Sequence, residues 1–122
     1  MVELYTGELF FDTHENLEHL GMIEKQCGPL PQWMAVQSCN ALQRHLHTSP
    51  QFMGPRLKQN NQCAESSESI RRVKQMLLLD DIILDEFGAD HVPFKNLITS
   101  MLVIDRDSRP TATDCLKHPF FH

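Results

Sequence analysis

Proline and glycine are placed so that no helix in this chain can run long. Gly7, the run Gly28-Pro29-Leu30-Pro31, the stretch from Pro50 to Pro55, and Pro93, Pro110 and Pro119 divide the sequence into short pieces. Proline lacks the amide donor that a helix interior needs and restricts the residue before it, while glycine closes helix ends at little steric cost. Between these stops apolar residues recur at three- and four-residue spacing, and no segment alternates convincingly with a period of two, so the class is mainly α. No internal repeat is visible. Helices this short are marginal alone, so each must bury its stripe against a neighbour. With 41% hydrophobic and 22% charged residues, the chain has material for one packed domain and too much for disorder throughout.

Val2 to Thr6 reads as the last turns of a helix, because Gly7 stops it and no N-cap residue stands before it; its start is expected upstream. Asp12 with Glu15 predicts a capping box opening a helix whose stripe is Leu17, Leu20, Ile23 and Cys27, with Leu20 in the core and the end at Gly28. Pro29 and Pro31 make a rigid exit, after which Trp33 and Met34 are expected to anchor the chain. Periodicity then fades, and Pro50, Gly54 and Pro55 among Gln, Asn and Ser predict a long irregular insertion over 35–69. A helix resumes with Ile70, Val73, Met76 and Leu77 inward and Arg71, Arg72 and Lys74 outward. Asp80 to Asp90 carries five carboxylates and no Lys or Arg, which reads as a solvated connection. The clearest helix begins near Pro93 and sets Phe94, Leu97, Ile98, Met101 and Leu102 on one core stripe. Asp105 to Pro110 turns the chain, Thr111 with Asp114 forms a second capping box, and Pro119 leaves Phe120 and Phe121 to fold back as an apolar lid.

Several function classes are disfavoured. A formal charge of −5 with scattered basic residues speaks against nucleic-acid binding. The most apolar stretch, Met76 to Leu84, is broken by Asp80 and Asp81 and falls short of the roughly 20 apolar residues a span needs. Met1-Val2-Glu3-Leu4-Tyr5 has no basic leader character, so export is not expected, and Cys27, Cys39, Cys63 and Cys115 read as free thiols of a reducing, intracellular compartment. The acidic stretch lacks the ligand spacing of a calcium loop, and Cys39, His45 and His47 lack the companion cysteine pair of a structural zinc site. His19 has no neighbouring nucleophile or base, so it is not given a catalytic role.

Two blocks carry a resemblance. The end of the chain, Met101-Leu102-x-x-Asp105-x-x-x-Arg109-Pro110-Thr111-Ala112-x-x-x-Leu116-x-His118-Pro119-Phe120-Phe121, resembles the closing signature of eukaryotic protein-kinase domains. Near the front, Glu3-Leu4-Tyr5-x-Gly7-x-x-x-Phe11 resembles the end of the kinase central helix. Glu18-His19-Leu20-Gly21-Met22-Ile23-Glu24-Lys25 is similar to the EHLAMMER signature of the LAMMER (CLK-type) kinases, with Gly21 for Ala, Ile23 for Met and Lys25 for Arg. Gly28-Pro29-Leu30-Pro31 also matches. Residues 35–64 match nothing in that pattern, so the resemblance covers about two thirds of the chain.

The resemblance implies a partial kinase C-terminal lobe, 1–122, from the end of the central helix onward and interrupted by the insertion. Intact relatives are dual-specificity kinases that use ATP and magnesium on Ser, Thr and Tyr hydroxyls. This chain has no G-x-G-x-x-G loop, V-A-I-K lysine, H-R-D aspartate, D-F-G or A-P-E, the parts that hold nucleotide, metal and substrate. No catalytic, cofactor or metal residue is therefore assigned, and the family positions Glu18, His19, Leu20, Met22, Glu24, Asp105, Arg109, His118, Pro119 and Phe120 are expected to serve structure or recognition. In the family the arginine matching Arg109 pairs with the glutamate of A-P-E. Without that partner it is expected beside Asp105 or Asp107 as a surface pair worth under about 1 kcal/mol. The expected partner is the missing remainder of a kinase domain or another protein, in nucleus or cytoplasm; the alternative is a noncatalytic helical interaction module, and a third option is an unrelated small helical domain.

Overall fold

The computed structural model describes residues 1–14, 16–37, 46–47, 56–57, 67–84 and 88–122. The chain divides into two compact units, one made of Met1–Phe10 with Leu77–His122, the other of Phe11–Met76.

The first unit is built around an apolar core. Helix α1 (Val2–Thr6) ends where expected: Gly7 takes φ 80° and its N–H donates to the Glu3 carbonyl at 2.7 Å, a left-handed conformation that glycine adopts without a Cβ penalty. Val2 of α1 joins Leu79, Ile83, Phe94 and Ile98 in the core, with Phe10, Ile82 and Leu102 packed against it. Leu79 and Ile83 are 2% and 0% exposed, which corrects the expectation of a solvated connection at the start of Asp80–Asp90. There α5 (Leu79–Ile82) forms a single turn, closed at its front by Asp81, whose carboxylate accepts the Leu78 N–H at 3.0 Å. The carboxylates face water while the i, i+4 aliphatics between them face inward. Residues 85–87 of that stretch lie outside the described residues.

Helix α6 (His91–Met101) starts two residues before Pro93, which sits in its first turn where a missing N–H costs nothing. Phe94, Leu97 and Ile98 are buried as expected, whereas Met101 is exposed and Leu102 half-buried. The last helix, α7 (Ala112–Leu116), opens on the expected capping box: the Thr111 hydroxyl accepts the Asp114 N–H and the Asp114 carboxylate accepts the Thr111 N–H, each at 3.2 Å. Pro119–Phe121 closes the chain as a short 3-10 turn.

In the second unit, α2 (Asn16–Cys27) packs on α4 (Ser67–Gln75). Helix α2 begins at Asn16, and Glu15 of the expected Asp12–Glu15 capping box lies outside the described residues. Glu18, in the first turn, accepts the His14 N–H at 3.2 Å, so an acid within the helix reaches back to the entering backbone. The other end falls at Gly28, φ 91°, whose N–H donates to the Glu24 carbonyl at 3.0 Å. The Glu24 carboxylate then accepts the Leu30 N–H at 3.3 Å, tying the proline exit to the helix. Helix α3 (Gln32–Gln37) and a two-residue antiparallel pair, β1 (Leu46–His47) with β2 (Arg56–Leu57), fall within or beside the stretch expected to be irregular. Leu46 pairs with Leu57 and His47 with Arg56.

Candidate functional site

The buried face of α2 is not the stripe that periodicity gives. Glu18, Gly21 and Met22 are buried, Leu20, Ile23 and Cys27 are half-buried, and the side chain of Leu17 lies outside the described residues. Leu20 is thus at the margin, and the position it was expected to fill belongs to a carboxylate. Glu18 is 0% exposed, and an unpaired charge there would be untenable. Its partners come from the segment entering α2 and from α4. Oε1 accepts the His14 N–H, and Oε2 takes the Arg72 guanidinium of α4 at 3.2 Å. The His14 ring stands 3.6 Å from Oε1, and its Nδ1 lies 3.4 Å from the same guanidinium nitrogen. Arg72 reaches on to Glu68 at 3.6 Å, and Glu68 holds Arg71 at 2.6 Å.

Burial by itself pushes the Glu18 carboxyl upward, but hydrogen bonds from Ser69 and the His14 backbone, together with the Arg72 charge, outweigh it and hold the group below its ordinary value. Ser69 is itself 1% exposed. On α4, therefore, the inward side carries Ser69 and Arg72, while Ile70 is 41% exposed and Leu77, beyond the end of the helix, 61%. Arg71 and Lys74 face outward as expected and Val73 and Met76 are half-buried, but Ile70 and Leu77 are exposed and Arg72 turns to the buried Glu18 carboxylate.

Lys25 makes the second tie between the same helices. Its ammonium donates to the carbonyls of Val73, Lys74 and Met76 at 3.0, 2.7 and 2.8 Å, using all three of its protons on the C-terminal end of α4, where orphan carbonyls and the helix dipole favour a cation. Lys25 stands where the LAMMER signature has arginine, and with three separated acceptors a point charge serves as well as a planar fork. His19, by contrast, is exposed, its ring 5.7 Å from that of Phe11.

The remaining family positions lie in the first unit. Asp105 organises its turn: Oδ1 accepts the Asp107 N–H at 3.0 Å and Oδ2 the Ser108 hydroxyl at 3.2 Å. Arg109 is exposed as expected, but its described hydrogen bonds go to the Val103 and Ile104 carbonyls, at 2.7 and 3.1 Å, and the carboxylate beside an arginine is Asp107 with Arg106. The carbonyls leaving α6 offer closer acceptors than Asp105, whose oxygens are already engaged. His118 Nδ1 accepts the Phe120 N–H at 3.2 Å, which leaves Nε2 to carry the proton and donate to Asn96 of α6 at 2.9 Å. Pro119 follows at the first position of the 3-10 turn, and Phe120 rests on Phe94 with ring centroids 5.2 Å apart, although Phe120 and Phe121, expected as an apolar lid, are both exposed.

Arg72, Ser69, His14 and Asn96 escaped the sequence reading. The available signal for the first two was Glu18 itself, a lone acid one turn before Met22 within a helix that had to be buried. Among the described residues, no group of three or more His, Cys, Asp or Glu side chains is placed to hold a metal, and no helix is long and apolar enough to cross a membrane. Cys27 and Cys115 are free thiols; Cys39, Cys63, His45 and the side chain of His47 lie outside the described residues.

Helices in this order, with the Arg109 turn and the His118 clip behind them, define part of a protein-kinase lobe. A solved kinase-domain crystal structure superposes with a TM-score of 0.78 and 33% identity, covering 99% of this chain and 33% of that one. The unrelated-domain option is thereby excluded. Serine/threonine-protein kinase AFC3 of Arabidopsis thaliana is 36% identical over 121 residues, 99% of this chain and 29% of that protein. Dual specificity protein kinase CLK1 of Mus musculus is 33% identical over 122 residues, 100% of this chain and 23% of that protein. No family model matches. Over almost its whole length the chain is similar to LAMMER (CLK-type) kinases and to part of a kinase domain, and it spans about a quarter of the length of these curated relatives. The aligned span includes residues 35–64, which the motif comparison alone had left unmatched.

Proposed function

We propose that the chain is the C-terminal scaffold of a LAMMER-type kinase, the whole enzyme moving phosphate from ATP, with magnesium, onto Ser, Thr and Tyr hydroxyls of proteins, and that this segment transfers none by itself. The observation that carries this is how the signature octet uses its charges. Glu18 is consumed by Ser69, Arg72 and His14, Glu24 accepts the Leu30 N–H, and Lys25 is spent on three carbonyls. Groups held this way position helices; they are not free to receive a substrate proton or grip a phosphate. The sequence supports the same view, since the nucleotide-binding and base-supplying motifs are absent from it and phosphoryl transfer rests on their combined positioning and charge.

Two arms test it. Exchanging the matched segment of mouse CLK1 for this chain should give an enzyme that still phosphorylates a peptide, while the purified 122-residue chain with labelled ATP and magnesium should transfer no label. An inactive exchange enzyme speaks against the scaffold role, and labelled peptide from the chain alone overturns the noncatalytic assignment.

A further inference from the structure

We infer that His14 makes the tie between α2 and α4 sensitive to mild acid: its neutral ring supports the grip of Arg72 on Glu18, and its protonated ring competes with that grip. Nδ1 of His14 stands between groups of opposite charge, 3.6 Å from Oε1 of Glu18 and 3.4 Å from Nη1 of Arg72. Arginine carries only donors, so the second contact needs a lone pair on Nδ1 and assigns the proton of the neutral ring to Nε2. In that state Arg72 Nη1 serves two acceptors, Nδ1 of His14 and, at 3.2 Å, Oε2 of Glu18. The His14 backbone N–H donates to Oε1 at 3.2 Å, which holds the ring beside the pair.

A second proton on the ring reverses each of these contacts. The Nδ1 lone pair is lost, the guanidinium meets another cation, and the new N–H reaches Oε1 after a movement of about 0.6 Å. Solvent has access to the switch, because the His14 side chain is 61% exposed while that of Glu18 is 0% exposed. The charged groups facing the ring are Glu18 from α2 and Arg72 from α4. Behind Arg72 stands Glu68 at 3.6 Å, itself holding Arg71 at 2.6 Å, and the uncharged Ser69 hydroxyl completes the set on Glu18. Glu68 is the acceptor to which the released guanidinium turns. The Glu18 carboxyl, held below 4.5, stays ionised through mild acid, so between pH about 7.5 and about 5.5, where imidazoles as a class titrate, the group that changes within this cluster is the ring.

The test is an NMR titration of the isotope-labelled 122-residue chain. At pH about 7.5 the His14 ring should be the Nε2–H tautomer, and down to pH about 5.5 the Glu18 carboxyl and Arg72 guanidinium signals should shift with the midpoint of the His14 ring. In His14→Gln both should stay flat across that window. The coupling between Glu18→Gln and Arg72→Met, measured by urea unfolding, should fall at least about twofold from the higher pH to the lower one, and should not fall when the cycle is repeated with His14→Gln. An Nδ1–H tautomer near neutral pH, Glu18 and Arg72 signals that ignore the His14 titration, or a loss of coupling that survives His14→Gln overturns the inference. Where a variant of the cycle does not fold, the parent's own titration decides.

Discussion

The two units hold their helices by different means. Around α1, α5 and α6 the buried side chains are Val2, Leu79, Ile83, Phe94, Leu97 and Ile98, and polar groups work at the edges, as caps on α7 and clips to the last turn. Between α2 and α4 the covered side chains include a carboxylate and a hydroxyl, Glu18 and Ser69, and two cations, Arg72 and Lys25, cross from one helix to the other. Apolar burial is non-directional and tolerates small slides. An ion pair and an ammonium on three carbonyls tolerate few, so α2 and α4 are set in angle and register rather than merely pressed together. Two charges of the signature octet, Glu18 and Lys25, thus tie one helix to another.

The comparison can be broken first on its apolar side. Ile83→Ala should cost about 4 kcal/mol, because a fully covered side chain leaves a cavity; the check is urea unfolding followed by circular dichroism, and a cost below about 1 kcal/mol would mean the core is not where it is described. On the ionic side, Arg72→Met should cost about 3 kcal/mol, since it leaves the covered Glu18 carboxylate without its cation. Lys25→Met should cost about 2 kcal/mol by stranding the end of α4, and Lys25→Arg should stay within about 1 kcal/mol of the parent. Both are read as shifts of the urea midpoint at constant slope. Thr111→Ala should cost about 1 kcal/mol, the loss of one exposed cap, and serves as the reference for a local polar contact that joins no two helices.

Acid sharpens the same contrast. The Glu18 carboxyl sits below its ordinary 4.5 when folded, so its contribution to stability is fully present above about that value and is lost as the pH falls through the lower folded one. Glu18→Gln should flatten the acid limb of a stability-against-pH curve. An unchanged limb in that variant would assign the acid sensitivity to other carboxylates.

Much of the frame was legible because it depends on local rules. Gly7 and Gly28 end helices in left-handed conformations, at φ 80° and 91°, and the Thr111–Asp114 box forms as its spacing requires. The stripe Phe94, Leu97 and Ile98 is the covered face of α6 for the same reason. What could not be read from local pattern is the sign of burial for charged residues. Arg72 was turned outward because arginine is usually solvated, and only a partner more than fifty residues away, Glu18, turns it in. Leu79 and Ile83 were hidden by the acids among them, although their four-residue spacing was visible. The reach of Glu18 back to the His14 N–H from within the helix was likewise not marked by any local spacing rule.

A double-mutant cycle on Glu18→Gln and Arg72→Met tests most directly whether the signature octet fixes helix on helix. The free energies of the parent, both single variants and the double variant should give a coupling of at least about 1 kcal/mol, the range found for residues sharing a buried polar network. Single-variant costs that simply add, with coupling near zero, would contradict the account and return Glu18 and Arg72 to independent roles.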